Sequence, residues 1–245
     1  MRFEFITRRR LALIHRVVAL AGGLATGLIV PHAHAARPMI VDDARIVDAK
    51  ACQLESWVKK NPDSTETWAL PACNFTGNLE LTLGGALTRE AGQTETTDVV
   101  VQGKTLFKPP GTNGLSNGLV VGTVRHPQAD ARGWYAYVLN SFWFRDNAGV
   151  TGVIHTNVGW LREGETRRDR PTWGLGAEVR LAERTWLVAE TFGQGQDTPF
   201  YQFGLRHWLV QDRVQIDTTY GNRNGGGSER WFTIGLRLLS VPFLP

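Results

Sequence analysis

Thr172-Trp173-Gly174-Leu175-Gly176-Ala177-Glu178-Val179-Arg180-Leu181 reads in steps of two. Trp173, Leu175, Ala177, Val179 and Leu181 alternate with Gly174, Gly176, Glu178 and Arg180. The rhythm recurs up to Leu239: Tyr201, Phe203, Leu205 and Leu209 against Gln202, Gly204 and Arg206. Val214, Ile216, Thr218 and Tyr220 alternate with Gln215, Asp217 and Thr219, and Phe232, Ile234, Leu236 and Leu238 with Thr233, Gly235 and Arg237. A period of two over eight or more residues gives extended strands with one apolar and one polar face. The connections alternate too, tight at Ala182–Arg184 and Gln211–Arg213, long at Gly193–Pro199 and Gly221–Glu229. Strands of this kind, with aromatic residues near their ends and turns that alternate in length, are the signature of a transmembrane β-barrel.

The same alternation extends toward the N-terminus. Leu79, Leu81, Leu83 and Leu87 share one face of Asn78–Arg89. Asp98–Phe107, Gly118–Arg125, the aromatic-rich Gly133–Phe144 and Gly149–Leu161 follow as further strands. Ahead of them, Ala51–Lys59 and Glu66–Phe75 form a hairpin about the turn-rich Asn61-Pro62-Asp63-Ser64, with Pro71 weakening the second arm. Twelve strands result, or ten plus an N-terminal hairpin. Either even number suits an all-β, antiparallel, single-chain barrel. Taking Glu90–Thr97 as a loop as well, the long loops at 90–97, 162–171, 193–199 and 221–229 fall at one end. The tight turns at 145–149, 182–184 and 211–213 fall at the other.

Residues 1–35 have the order of a secretory signal peptide: Arg2, Arg8, Arg9, Arg10 and Arg16, the apolar run Val17–Val30, then Ala33-His34-Ala35. The expected organisation is a cleaved signal over 1–35, a polar periplasmic segment over 36–50 and a barrel over 51–245 in a Gram-negative outer membrane. The formal charge of +4 belongs mostly to the signal, which holds five Arg and one Glu; the remainder has 22 basic and 22 acidic residues. That balance gives no footprint for nucleic acid. The expected partners are outer-membrane lipids, with periplasmic chaperones and the barrel-assembly machinery during biogenesis. Cys52 and Cys73, the only cysteines, come face to face in the hairpin and are expected to form a disulfide in an oxidising compartment. They offer no zinc spacing, and no cofactor or metal is expected.

Parity sends Glu80, Lys104, Glu178, Arg180, Glu190, Arg206, Asp217 and Arg237 into the lumen. Their signs largely alternate between neighbouring strands, so cross-strand pairs are expected. Such a ladder either plugs a narrow lumen, since buried charges need partners, or lines a pore that selects a solute. Trp134, Trp143, Trp160, Trp173, Trp186, Tyr201, Tyr220 and Trp231 are expected in interfacial girdles. His155 stands inward with Asn157, and His207 sits on a mostly apolar face. Ser116, Ser141 and Ser228 lie at unrelated depths, so the Ser–His pair of a barrel lipase is not expected and the chain is read as no enzyme.

The runs Ala51-Cys52-Gln53-Leu54-Glu55-Ser56-Trp57, Trp68-Ala69-Leu70-Pro71-Ala72-Cys73-Asn74 and Leu79-Glu80-Leu81-Thr82-Leu83-Gly84-Gly85 resemble uncharacterised proteobacterial outer-membrane β-barrel proteins. These are loosely similar to the family named for the meta-pathway of phenol degradation. The resemblance implies a barrel that aids uptake of a small or hydrophobic compound, and it carries no catalytic motif. The function expected is a porin-like passive channel for a small solute. The alternatives are a closed structural or loop-binding barrel and, third, a lipid-modifying enzyme. Ser240–Pro245 trails beyond the last alternating run, a departure from a barrel-assembly signal that ends in an aromatic residue.

Overall fold

A computed structural model describes Met39–Pro245, apart from Thr112, Asn113 and Ala148. The expected signal peptide and its cleavage site lie outside the described residues. Twelve strands follow in chain order: β1 (Cys52–Lys60), β2 (Ser64–Asn74), β3 (Leu79–Glu90), β4 (Gln93–Lys108), β5 (Leu115–His126) and β6 (Ala131–Asp146). The second half comprises β7 (Gly149–Arg162), β8 (Asp169–Ala182), β9 (Thr185–Gln194), β10 (Phe200–Val210), β11 (Val214–Arg223) and β12 (Trp231–Leu239). Every strand pairs antiparallel with its chain neighbours. β1 closes on β12, from Gln53 opposite Leu239 to Lys60 opposite Phe232. Closure leaves no strand edge unpaired, which is what a sheet surrounded by lipid requires.

Alternation sorts the side chains as the period of two predicts. Leu83 (62% exposed), Val158 (65%) and Ile234 (56%) belong to a belt of large outward apolar residues on every strand but β2. Such a continuous apolar surface marks contact with another apolar phase. The inward positions are buried and mixed: the charged residues of the ladder share the interior with apolar clusters such as Trp57, Trp68, Leu70, Val100 and Val124.

The connections at the end of the barrel nearest Lys50 run over 75–78, 109–114, 147–148, 183–184 and 211–213. Those at the far end run over 61–63, 91–92, 127–130, 163–168, 195–199 and 224–230. The predicted sorting of long and short connections therefore holds in the C-terminal half only. Glu90–Thr97 is not a loop. β3 and β4 continue through it and join at Ala91-Gly92, both with positive φ (47° and 84°), the requirement of a two-residue type I′ turn. Residues 88–97 are polar on both faces because this hairpin rises beyond the apolar belt, so the alternation that marks a strand is absent from the sequence there.

Pro71 sits within β2 where the ladder to β3 is interrupted, between Ala69 opposite Gly85 and Ala72 opposite Thr82. A missing N–H is thus placed where no ladder bond is made. Cys52 and Cys73 are directly opposed and bonded, with Cα atoms 4.0 Å apart. The C-terminal tail folds back over this end: Ser240 N–H donates to Cys52 O, and Phe243 and Leu244 N–H donate to Lys50 O.

Exposed aromatic residues stand near both ends of the barrel, with Phe107, Phe142 and Phe144 at the Lys50 end. Trp134, Trp160, Trp173 and Tyr220 are exposed near the far end, and Tyr201 is half-buried on the same outward face. Trp143, Trp186 and Trp231 occupy inward positions instead. Trp143 donates Nε1–H to Ser116 Oγ (2.7 Å) and Trp231 to Gln202 Oε1 (3.1 Å).

The lumen as candidate functional site

Residues 39–47, expected in the periplasm, lie inside the barrel. Met39, Val41, Asp42, Asp43, Ala44 and Val47 are all buried. The segment enters from the Lys50 end without joining the sheet, so its backbone polar groups need partners that strands would otherwise give it. The wall supplies them from side chains. Ile40 and Val41 N–H donate to the two carboxylate oxygens of Glu190 (2.7 and 2.8 Å). Ala44 N–H donates to Ser141 Oγ (2.8 Å), and Val47 N–H to Glu80 Oε2 (2.8 Å). The Asn157 amide engages Asp42 twice, accepting its N–H (2.6 Å) and donating to its C=O (2.9 Å). Asn74 Nδ2–H donates to Val47 O (2.8 Å). Two glycines of β8 make room: a Cβ on Gly174 would lie 2.6 Å from Val41 Cγ2, and one on Gly176 3.3 Å from Met39 Cε.

The charge ladder is organised around this segment. Lys104 Nζ donates to Asp42 Oδ1 (2.8 Å) and stands 3.7 Å from Asp43, while Tyr137 O–H donates to the other Asp42 oxygen (3.0 Å). Arg45 joins Asp43 (2.6 Å) to Glu178 (2.8 Å) and lies over the Trp143 ring. Among the predicted residues, Glu80, Lys104, Glu178, Glu190, Arg206, Asp217 and Arg237 are buried. Arg206 bridges its cross-strand neighbour Asp217 (2.7 Å) and Glu178 (2.6 Å), two strands away. Arg237 pairs with Glu55 (3.6 Å) and donates to Gln53 Oε1 (2.8 Å). Arg180 differs: its side chain reaches the mouth, 3.7 Å from Asp146. Asp42, Asp43, Arg45 and Glu55 complete the network but were not among the expected ladder residues. Strand parity cannot reveal Asp42, Asp43 and Arg45, whose segment belongs to no strand, whereas Glu55 stands on the inward face of β1 with Gln53 and Trp57 and was open to the same reading.

Ser141 and His155 were placed at unrelated depths. The β6–β7 register instead sets them directly opposite. Ser141 Oγ and His155 Nδ1 lie 2.7 Å apart, and His155 Nε2 lies 3.2 Å from Glu178 Oε1. Counting back from the turn would set Ser141 opposite Ile154; a bulge between Phe144 and Arg145 shifts the register by one residue and brings His155 there instead. The arrangement has the connectivity of a Ser–His–acid relay. All three groups are buried, however, and the hydroxyl already accepts the Ala44 N–H, so no substrate carbonyl has access to it. Its chemical work is to hold the segment. His207 faces outward from β10 and its Nδ1 lies 2.9 Å from Thr185 Oγ1.

The space left in the lumen is divided. A vestibule of about 280 Å³ at the Lys50 end is lined by Trp143, Trp186 and Trp208 with Arg45, Arg180 and Glu178. A pocket of about 30 Å³, room for roughly one water, separates the segment from β1–β4. Among the described residues, no group of three or more His, Cys, Asp or Glu is placed to hold a metal.

The model of the family described as uncharacterised conserved protein UCP029691 matches residues 24–239. No curated protein sequence matches the chain. Among solved structures, the KdgM porin superposes with a TM-score of 0.57 at 7% identity, covering 76% of this chain and 98% of its own. The NanC porin gives 0.53 at 9%, covering 78% and 100%. The COG4313 outer membrane channel from Pseudomonas putida F1 gives 0.51 at 10%, covering 80% and 97%. At these identities the likeness is one of fold.

Proposed function

The chain belongs to the uncharacterised conserved protein UCP029691 family, and on that footing we propose that it is a passive outer-membrane channel for a small solute, closed in the conformation described here by residues 39–47. The observation that carries the reading is how the lumen is filled. A purely structural barrel is expected to fill its interior from its own wall; here a separate, non-strand segment shares that work with the wall's apolar side chains, held by hydrogen bonds and ion pairs that could be broken without disturbing the ladders. The apolar outer belt and the aromatic residues at its two edges support insertion in the outer membrane, with lipids as surroundings and periplasmic chaperones and the assembly machinery as partners in biogenesis. Similarity to the family named for the meta-pathway of phenol degradation rests on the runs quoted above and supports a small or hydrophobic solute. The buried, hydrogen-bonded Ser141 favours a channel over a lipid-modifying enzyme. A permanently closed structural barrel is the second reading, favoured by how completely the charges are paired.

Planar-bilayer recording separates the two. The full chain is expected to show near-zero or brief conductance, and a variant lacking residues 39–47 stable ohmic steps. A deletion variant with normal heat-modifiable gel mobility that never conducts would overturn the channel in favour of the closed barrel.

A further inference from the structure

The outer wall carries a cluster of charge that the lumen does not explain. At the far end, Arg125 on β5 lies directly opposite Arg132 on β6, and both are exposed on the outward face. Arg162 on β7 lies opposite Trp134, two residues along β6 from Arg132, and is exposed on the same face. Directly opposed residues have Cβ atoms about 5 Å apart, and diagonal ones about 7 Å, so the three guanidinium groups can converge on one point. Like charges in this relation destabilise a sheet unless an anion lies between them. The nearby carboxylates do little to offset them. Asp130 meets Arg125 at 3.1 Å from an almost fully exposed turn, Asp169 is 3.7 Å from Arg162, and Arg132 has no acidic partner among the described residues.

Position identifies the anion. The arginines sit one step beyond Trp134 and Trp160, which are outward and exposed, and these in turn stand above Val138 and Val158 of the apolar belt. Indole rings at a belt edge sit at headgroup depth, and guanidinium groups at that depth meet lipid phosphates, which they bind in bidentate fashion. With both ends of the strand series, β1 and β12, starting and finishing at the Lys50 end, periplasmic placement of that end turns the arginines to the outer leaflet.

We propose that Arg125, Arg132 and Arg162 form a binding site for the phosphate of a phosphorylated glycolipid of the outer leaflet, with Trp134 and Trp160 against its acyl chains. The site rests on the outer-membrane reading above and is independent of whether the lumen conducts.

The test uses the full chain refolded into phosphatidylcholine vesicles, with insertion followed by heat-modifiable mobility. Bisphosphorylated lipid A is added, and binding is read by quenching of indole fluorescence by a brominated acyl chain and by the rise in the temperature of mobility loss. Wild type is expected to bind. Arg132→Gln is expected to bind about tenfold more weakly, the loss of one charged hydrogen-bonding group, and the triple variant R125Q/R132Q/R162Q to lose the thermal shift while inserting normally. Equal binding of dephosphorylated lipid A, unchanged binding by the triple variant, or full competition by millimolar inorganic phosphate would each overturn the site. Failure of wild type to insert in any vesicle would instead bring down the outer-membrane reading itself, and the site with it.

Discussion

At the scale of single residues, the closure of the lumen depends on a few buried ionic groups with complete shells of partners. Asp42 is the most heavily used: one carboxylate oxygen takes Lys104 and the Asp43 N–H, the other takes the Tyr137 hydroxyl, and its peptide groups are clasped by Asn157. An ion pair out of water is costly to form and far costlier to leave half-made. Asp42→Asn therefore leaves the Lys104 ammonium, which is only 4% exposed, with Asp43 at 3.7 Å as its remaining close carboxylate, and is expected to cost about 3 kcal/mol, the low end for breaking a buried pair. The loss should appear as a lower urea midpoint and greater open probability in bilayers. The double variant D42N/K104M removes the ammonium and is expected to recover most of the urea midpoint. A single Lys104→Met change that left the urea midpoint of the Asp42 protein unaltered would contradict this account, because it removes the carboxylate's ion-pair partner. These contacts were hard to read from sequence because the segment engages the wall through its backbone N–H groups, which every residue but proline has. Ser141 and His155 were hidden by the bulge between Phe144 and Arg145, which offsets their pairing by one residue from what the turn alone gives.

At the scale of elements, β8 has two jobs that its alternation encodes separately. Trp173, Leu175, Val179 and Leu181 form part of the outer belt, while Gly174 and Gly176 keep its inner face thin enough for Met39 and Val41 to lie against it. Gly174→Val is expected to leave the β7–β8 and β8–β9 ladders intact, since valine favours strands, yet to push Val41 out of its seat. The variant should insert with normal heat-modifiable mobility and conduct in bilayers where the wild type does not. A variant that inserts normally but stays closed would show that the segment can re-seat around the added methyl groups. The strands themselves were the most legible part of the molecule, because a period of two reports directly on a wall that is apolar on one side. Legibility failed at β3–β4 above the belt, where both faces meet polar surroundings, and at Trp143, Trp186 and Trp231, where an aromatic residue near a strand end faces the lumen instead of the interface.

At the scale of the whole molecule, the wall and its contents depend on each other. The inward carboxylates and ammonium groups of the ladders find their counter-charges partly on residues 42–45, and the backbone of those residues finds its acceptors on the wall. The seam adds a consequence in time. β1 follows the enclosed segment almost at once and forms the last joint of the cylinder with β12. Residues 39–47 must therefore already be indoors when the first strand meets the last, or be threaded through the finished mouth afterwards. If the first route is used, the segment serves as a mould around which the sheet curls. A bulky folded domain joined just before Met39 is then expected to stall assembly with β1 and β12 apart. Crosslinking of cysteines placed at Ser56 and Leu236, which face each other across that joint, would detect the stall as a missing bond.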